Sequence, residues 1–307
     1  MQVVYGSPQT VFPPSVLALG NFDGVHRGHQ VVLRAALDKA ADLKQTASVA
    51  IFDPHPRRFF RPDAAPFRIM DNSQQIDVLR EFGFGRVHII PFDASIANMM
   101  PREFAETVLC GWANVQQIFV GADFEFGKGR SGDVAILTGI GEQLGFSVSG
   151  LALESAGTEK ISSSRIRACV AAGDVAGAAD LLGRRWAVRG EIETGDQRGR
   201  TIGFPTANIP LCEYCRPKFG VYAVRVDLNG TFHHGVANVG LRPTVGGDTE
   251  RLEVHLFDFS RDIYGETVDV EFVDFLRPEQ KFNGLGELKA QIAADAAAAR
   301  KVLAGPG

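Results

Sequence analysis

Cysteine is scarce, with four in 307 residues, at Cys110, Cys169, Cys212 and Cys215. Only Cys212 and Cys215 lie close together, as one C-x-x-C, and no second ligand pair completes a zinc site. That C-x-x-C also lacks the tryptophan, glycine and proline context of a redox motif, so free thiols in a reducing cytosol are expected. No apolar run approaches the ~18 residues of a membrane span, and Met1–Gly6 carries no basic leader ahead of an apolar stretch. A cytoplasmic chain without membrane contact is therefore expected. Positive charge is short as well: 32 Lys and Arg face 36 Asp and Glu, a formal net charge of −4. General nucleic-acid binding needs a basic surface, so it is not expected, although a local basic pocket for one nucleotide stays open.

Repeats and low-complexity tracts are missing too. What remains is an ordinary globular balance, 45% hydrophobic and 22% charged, at a length that suits about two domains. The two halves follow different patterns. Val16–Leu19, Ala47–Phe52, Val87–Pro91 and Ile118–Val120 read as buried strands, separated by helical stretches such as Gln30–Leu43 and Ser73–Phe82. This alternation predicts βαβ units and a doubly wound parallel sheet. From about Trp186 the period becomes two, as in Tyr222, Val224, Val226 and Leu228 or in Val268, Val270 and Phe272. Half-buried antiparallel strands are expected there, then an alanine-rich helix over Leu285–Leu303. The seam falls near Leu182–Arg185, giving domains 1–184 and 185–307.

After the first long strand comes Gly20-Asn21-Phe22-Asp23-Gly24-Val25-His26-Arg27-Gly28-His29, leading into a helix. A strand, a glycine-bearing turn and a helix N-terminus together favour phosphate through free N–H groups and the helix dipole. His26 and His29, three apart, share a face on a helical turn. Gly28 removes a side chain where phosphates approach the backbone. Two imidazoles at one phosphate can hydrogen-bond the charge that develops as an α-phosphate is attacked.

H-x-G-H after a first strand resembles the nucleotidyltransferase superfamily. The full string resembles the adenylyltransferase module of bacterial riboflavin kinase/FAD synthetases. Three further segments agree: Phe52-Asp53-Pro54-His55-Pro56; Gly121–Gly127 with Arg130 and Gly132; and Ile161-Ser162-Ser163-Ser164-Arg165-Ile166-Arg167, where Ser164 replaces the usual threonine. The resemblance implies that Gly20, Asn21, Phe22, Asp23, Gly28, Ser162, Ser163 and Ser164 hold ATP phosphates. It makes His26, His29 and Arg165 the catalytic groups, and places His55, Asp123 and Phe126 at the flavin. From its residues alone, His55 is either a satisfied loop histidine or a ligand contact.

The second half carries Arg189–Ile209, with glycines at 190, 195, 199 and 203 that let a loop fold over phosphates. Thr206 and Asn208 are i and i+2, so in an extended chain a hydroxyl and an amide carbonyl face one side, as for Mg²⁺ or as a plain solvated strand face. Glu253 lies opposite the apolar Leu252, Val254 and Leu256, together with His255 and Phe257. It is either an exposed strand glutamate or a base. The strings G-R-x-x-G-F-P-T-A-N, G-V-A-N-x-G-x-R-P-T and L-E-V-H-L-x-D-F resemble the riboflavin kinase module, whose fold is a six-stranded antiparallel barrel with a terminal helix. That resemblance implies Mg²⁺ at Thr206 and Asn208, ATP at Gly195, Arg200, Gly203 and Asn238, and Glu253 as base. Cys212–Phe219 is not part of the pattern.

Taken together, the strings imply ATP-dependent phosphorylation of riboflavin to FMN, then adenylylation of FMN to FAD. Three alternatives are a synthetase-like enzyme with an RNA-binding barrel, a non-catalytic flavin-binding protein, and a chain that keeps only one of the two activities. The first would show a basic barrel and a lysine-rich loop where Ser162–Arg165 stands. The second would tolerate loss of Glu253 or the histidines.

Overall fold

The computed structural model describes residues 1–7, 11–152, 155–156, 159–194, 203–244 and 247–305. They divide into two packed units, Met1–Ala65 with Asn72–Ser162, and Pro66–Asp71 with Ser163–Gly307. Gly195 and Arg200, expected at the kinase ATP site, lie outside the described residues.

The first unit is built on a parallel sheet of β1 (Gln2–Tyr5), β2 (Ser15–Leu19), β3 (Thr46–Asp53), β4 (Arg86–Pro91), β5 (Val115–Gly121) and β6 (Ser147–Leu151). Their order is β1-β4-β3-β2-β5-β6, with every neighbouring pair parallel. All five residues of β2 are buried, as a strand covered on both faces requires. Helices α1 (Arg27–Leu43), α2 (Pro56–Phe60), α3 (Asn72–Glu81), α4 (Ala94–Asn98), α5 (Pro101–Phe104) and α6 (Val134–Leu144) join the strands, and two short strands, β7 (Ser155–Ala156) and β8 (Glu159–Lys160), form a separate antiparallel pair. The chain steps from β2 through β3 to β4 on one side and places β5 on the other side of β2. The strand order thus reverses between β2 and β5, and ligands of such sheets bind outside the carboxyl ends at that reversal. Gly20–His29 leaves β2 and Ala122–Phe126 leaves β5 at this point.

One buried pair in β4 carries a pH signature. His88 is only 3% exposed, and neither of its ring nitrogens has a hydrogen-bond partner among the described residues. Burial, aided by the nearby Arg86 charge, lowers its pKa to about 4. Phe12 packs on both, its ring 5.8 Å from the His88 ring and 4.1 Å from the Arg86 guanidinium carbon. An unfolded histidine binds its proton near pH 6.5, so this site withdraws stability as pH falls from about 6.5 to 4. The loss amounts to about 3 kcal/mol at its limit. Urea titrations at pH 7 and pH 4.5 should show a smaller acid loss in His88→Leu than in the parent chain.

The second unit contains α7 (Ser163–Ala172), α8 (Val175–Leu182), β9 (Ala187–Glu191), β10 (Ala207–Pro210), β11 (Gly220–Leu228), β12 (Thr231–Thr244), β13 (Gly247–Leu256), β14 (Thr267–Pro278) and α9 (Leu285–Leu303). Its strands form an antiparallel sheet ordered β10-β13-β12-β11-β14-β9. The ends meet where Glu193 N–H donates to the Asn208 carbonyl at 2.9 Å, so the sheet curls into a nearly closed barrel. The period-two pattern begins at β9, close to the expected seam, yet α7 and α8 pack with the barrel.

A short segment from the first half of the chain, Pro66–Asp71, belongs to this unit. Phe67 and Arg68 N–H groups donate to Glu213 O at 3.0 and 2.8 Å, and Cys215 N–H donates to Arg68 O at 2.7 Å. Tyr214 Oη accepts from Arg189 N–H at 3.0 Å. These contacts give Cys212–Cys215 a structural part: the loop clasps Pro66–Asp71, with neither cysteine in a disulfide, Cys212 exposed and Cys215 buried. Trp186 is buried, packs on Phe272 with ring centroids 4.7 Å apart and planes tilted by 36°, and donates from Nε1 to Ile69 O at 2.8 Å. Trp186→Ala should cost about 3–5 kcal/mol in a denaturant melt, since both the cavity and the lost bond fall in the barrel core.

Candidate functional site

The Gly20–His29 loop is tightly bent. Phe22, Gly24 and Val25 have φ of +48°, +86° and +41°. Left-handed backbone costs on the order of 1–3 kcal/mol at a non-glycine residue, and a β-branched valine there is unusual. Surrounding contacts hold this shape. Val25 is fully buried, its N–H donates to Phe22 O at 2.9 Å, and its carbonyl accepts from Gln30 Nε2 at 3.1 Å. The Asn21 carbonyl accepts from Gln75 Nε2 at 2.8 Å.

His26 caps helix α1. Its Nδ1 accepts from the His29 backbone N–H at 3.2 Å. With Nδ1 accepting, neutral His26 carries its proton on Nε2 and presents a donor. The His26 and His29 rings stack, centroids 3.5 Å apart and 16° between planes. Phe22 meets His29 edge-on at 5.3 Å. A Cβ on Gly28 would stand 3.2 Å from the His26 ring and 3.3 Å from Ile161 O. This glycine therefore makes room for the histidine itself. Asp23 is buried, whereas Asn21 is exposed.

His55 repeats the same device, capping α2 through Nδ1 with Arg57 N–H at 3.0 Å. Beside it lies an aromatic cluster that the sequence motifs leave out. Phe59 contacts Phe60 at 5.2 Å, both contact Phe92, and Phe92 contacts Phe52 at 5.6 Å. Phe60 is 64% exposed, unusual for so large an apolar ring. The Phe59-Phe60 pair just after His55 is the sequence signal that points to it.

Asp123 forms an exposed ion pair with Lys160 at 2.6 Å. Phe126 is a core residue, packed against Phe104 and stacked on the more open Phe124 at 5.6 Å. A Cβ on Gly132 would strike its ring at 2.6 Å, which accounts for that glycine. Ser162 immediately precedes α7, and Ser163, Ser164 and Arg165 form its first turn, where backbone N–H groups and the dipole favour an anion. Arg167 serves the fold instead, since its Nε donates to Phe67 O at 2.6 Å.

In the barrel, register brings together what sequence separates. Asn208 on β10 pairs directly with Glu253 on β13, and Glu253 pairs directly with Asn238 on β12. Directly opposed residues of antiparallel strands project to one face with Cβ atoms about 4.5–5.5 Å apart. Asn208, Glu253 and Asn238 thus form one row of side chains, with Asn208 buried and the other two half-buried. Thr206 lies just before β10. Its neighbour Pro205 is held by His255, whose Nδ1–H donates to Pro205 O at 2.8 Å. His255 also meets Phe204 edge-on at 5.4 Å. This anchoring histidine is legible in sequence only as the residue two beyond Glu253 on the same face. Phe257 is buried under α9 with Val221, Ala223, Val236 and Ala299. Gly203 has φ +89°, a left-handed conformation that favours glycine.

A family model for FAD synthetase matches residues 9–165, and one for riboflavin kinase matches residues 182–303. A bifunctional riboflavin kinase/FMN adenylyltransferase from Haemophilus influenzae is 40% identical over 98% of each chain. One from Bacillus subtilis is 37% identical, covering 92% of this chain and 90% of its own. A solved structure described as a macrolide-efflux protein from Streptococcus pneumoniae is 31% identical, with TM-score 0.86 over 98% of this chain and 99% of that one. Among the described residues of this chain, no helix is long and apolar enough to cross a membrane. The two family matches together span most of the chain, relatives match it over nearly its full length, and this chain belongs to the bifunctional riboflavin kinase/FMN adenylyltransferase family.

Proposed function

We propose that the chain makes FMN from riboflavin and ATP in its barrel, and FAD from FMN and a second ATP in its parallel-sheet unit. The observation that carries the kinase half is the cross-strand row Asn208–Glu253–Asn238. Glu253 accepts the proton of the riboflavin 5′-hydroxyl as that oxygen attacks the γ-phosphate, whose bond to the β,γ-bridging oxygen breaks to release ADP. Asn238 and Gly203 contact ATP, joined in this reading by Gly195 and Arg200. The Thr206 hydroxyl and Asn208 amide oxygen are hard oxygen donors of the kind Mg²⁺ prefers, so these residues fit that ion. Bound there, it would neutralise phosphate charge. The chain's own work is to position hydroxyl and phosphate in line, the main source of rate in phosphoryl transfer.

In the first unit, the FMN phosphate is already an anion and attacks the α-phosphate of ATP, expelling pyrophosphate without a covalent protein intermediate. His26 and His29 donate to the charge that grows on the α-phosphate. Gly20, Asn21, Phe22, Asp23 and Gly28 shape the loop around the phosphates, and the family resemblance extends a triphosphate-binding role to Ser162, Ser163, Ser164 and Arg165. His55, Asp123 and Phe126 remain assigned to the flavin, and the exposed Phe60 offers a flat apolar face for its ring system. A cytoplasmic setting is part of this reading, in line with the scarcity of cysteine in the sequence. The test is chromatography of the purified chain after incubation with riboflavin, ATP and Mg²⁺. FMN followed by FAD is expected, and absence of both defeats the proposal.

A further inference from the structure

We propose that Gln75 is a positioning residue for adenylyl transfer, clamping the Asn21 carbonyl from helix α3 and so holding the strained loop that aims His26 and His29. The proposal rests on the reading of that loop as the ATP-handling site. Gln75 is only 1% exposed, an uncommon place for a primary amide unless it has a fixed partner. One such partner is the Asn21 carbonyl, which accepts from Nε2 at 2.8 Å across 54 positions in sequence. At the other end of the bend, Gln30 Nε2 holds Val25 O at 3.1 Å. All three positive-φ residues, Phe22, Gly24 and Val25, fall between these two clamps.

The clamps differ in kind. Gln30 belongs to the helix that the loop itself begins, so it moves with that helix. Gln75 ties the loop to a separate element of the same unit, anchored by the fully buried Leu79. With the Asn21 carbonyl released, Phe22 and Val25 are free to relax toward ordinary backbone angles. His26, the next residue, would shift with them, and His29 would follow through its stacked ring. Misplacement of about 1 Å at a reacting centre costs roughly 10²-fold in rate. Groups that act mainly in the transition state lose kcat, whereas ground-state affinity changes less.

Gln75→Met keeps length and volume but has no donor. Its kcat for FMN-to-FAD conversion should fall roughly 10- to 100-fold. KM for ATP should stay within about threefold, and riboflavin phosphorylation and the melting temperature should stay near the parent values. Gln75→Glu keeps the shape and donates only when protonated, so its adenylyl transfer relative to the parent should rise between pH 8 and pH 6. A methionine variant with parental kcat overturns the proposal. So does one that loses both activities together with thermal stability. Independently of activity, amide hydrogen exchange over Phe22–His26 should quicken at least about tenfold in Gln75→Met, and unchanged exchange overturns the clamp. Failure of the parent chain to convert FMN would instead defeat the reading of the loop's chemistry, and the exchange result would still decide the clamp.

Discussion

Glu253→Gln is expected to lower riboflavin phosphorylation at least about 10²-fold while leaving FMN-to-FAD conversion near the parent rate. Glutamine preserves the shape of the side chain and its ability to hydrogen-bond within the row formed with Asn208 and Asn238. Only the capacity to take the 5′-hydroxyl proton is removed. The transition state of phosphoryl transfer is loose, so the effect should sit toward the lower end of what general bases provide. Should the variant keep full kinase activity, Glu253 orients the hydroxyl at most and the base assignment is wrong. Coupled-enzyme rates with riboflavin and, separately, with FMN as acceptor make the comparison.

The complementary change is His29→Ala, for which a drop of roughly 10²–10³ in adenylyl transfer is expected, with riboflavin phosphorylation preserved. The backbone N–H of residue 29 still donates to His26 Nδ1 in this variant, so the cap of α1 and the tautomer of His26 survive. What disappears is one imidazole and the 3.5 Å stack that steadies the other. His26→Ala, by contrast, also removes the cap and should cost stability of about 0.5–2 kcal/mol besides rate. Rate constants with FMN and ATP, read beside thermal melts of both variants, separate the two effects. A folded His29→Ala chain with parental FAD synthesis would exclude the histidine pair from the chemistry.

Periodicity made the two halves legible. Continuous apolar runs separated by helices gave the parallel sheet, and the period of two gave the barrel strands. The terminal helix ends where the alanine-rich stretch ends, at Leu303. Local rules failed where distant contacts decide. Helix α1 begins at Arg27, three residues before the periodic pattern at Gln30, because a histidine serves as its cap where serine, threonine, aspartate or asparagine usually does. Pro66–Asp71 carries no local sign that it packs with residues more than a hundred positions later, since its partners are the Glu213 and Cys215 backbone groups and the Trp186 indole. For the same reason the role of Cys212–Cys215 was unreadable.

Within the sites, residue types were legible and geometry was not. Glu253, Asn208 and Asn238 came from motif strings, but that they are lateral neighbours depends on which strands pair and in what register, a tertiary outcome that no local string displays. Gly28 illustrates how a correct residue can have a different cause: the space it leaves is taken by the His26 ring. The loop strain at Phe22 and Val25 has no signature in composition, because neither residue favours the conformation it adopts.

Phosphorus tracing tests the central claim, two transfers at two phosphates of ATP, most directly. The purified chain is given riboflavin and Mg²⁺ with ATP labelled either at the γ- or at the α-phosphate. With γ-label, radioactivity should enter FMN and then FAD. With α-label, it should bypass FMN and enter FAD alone. Label from the α-phosphate in FMN, or no label in either flavin, would contradict the account.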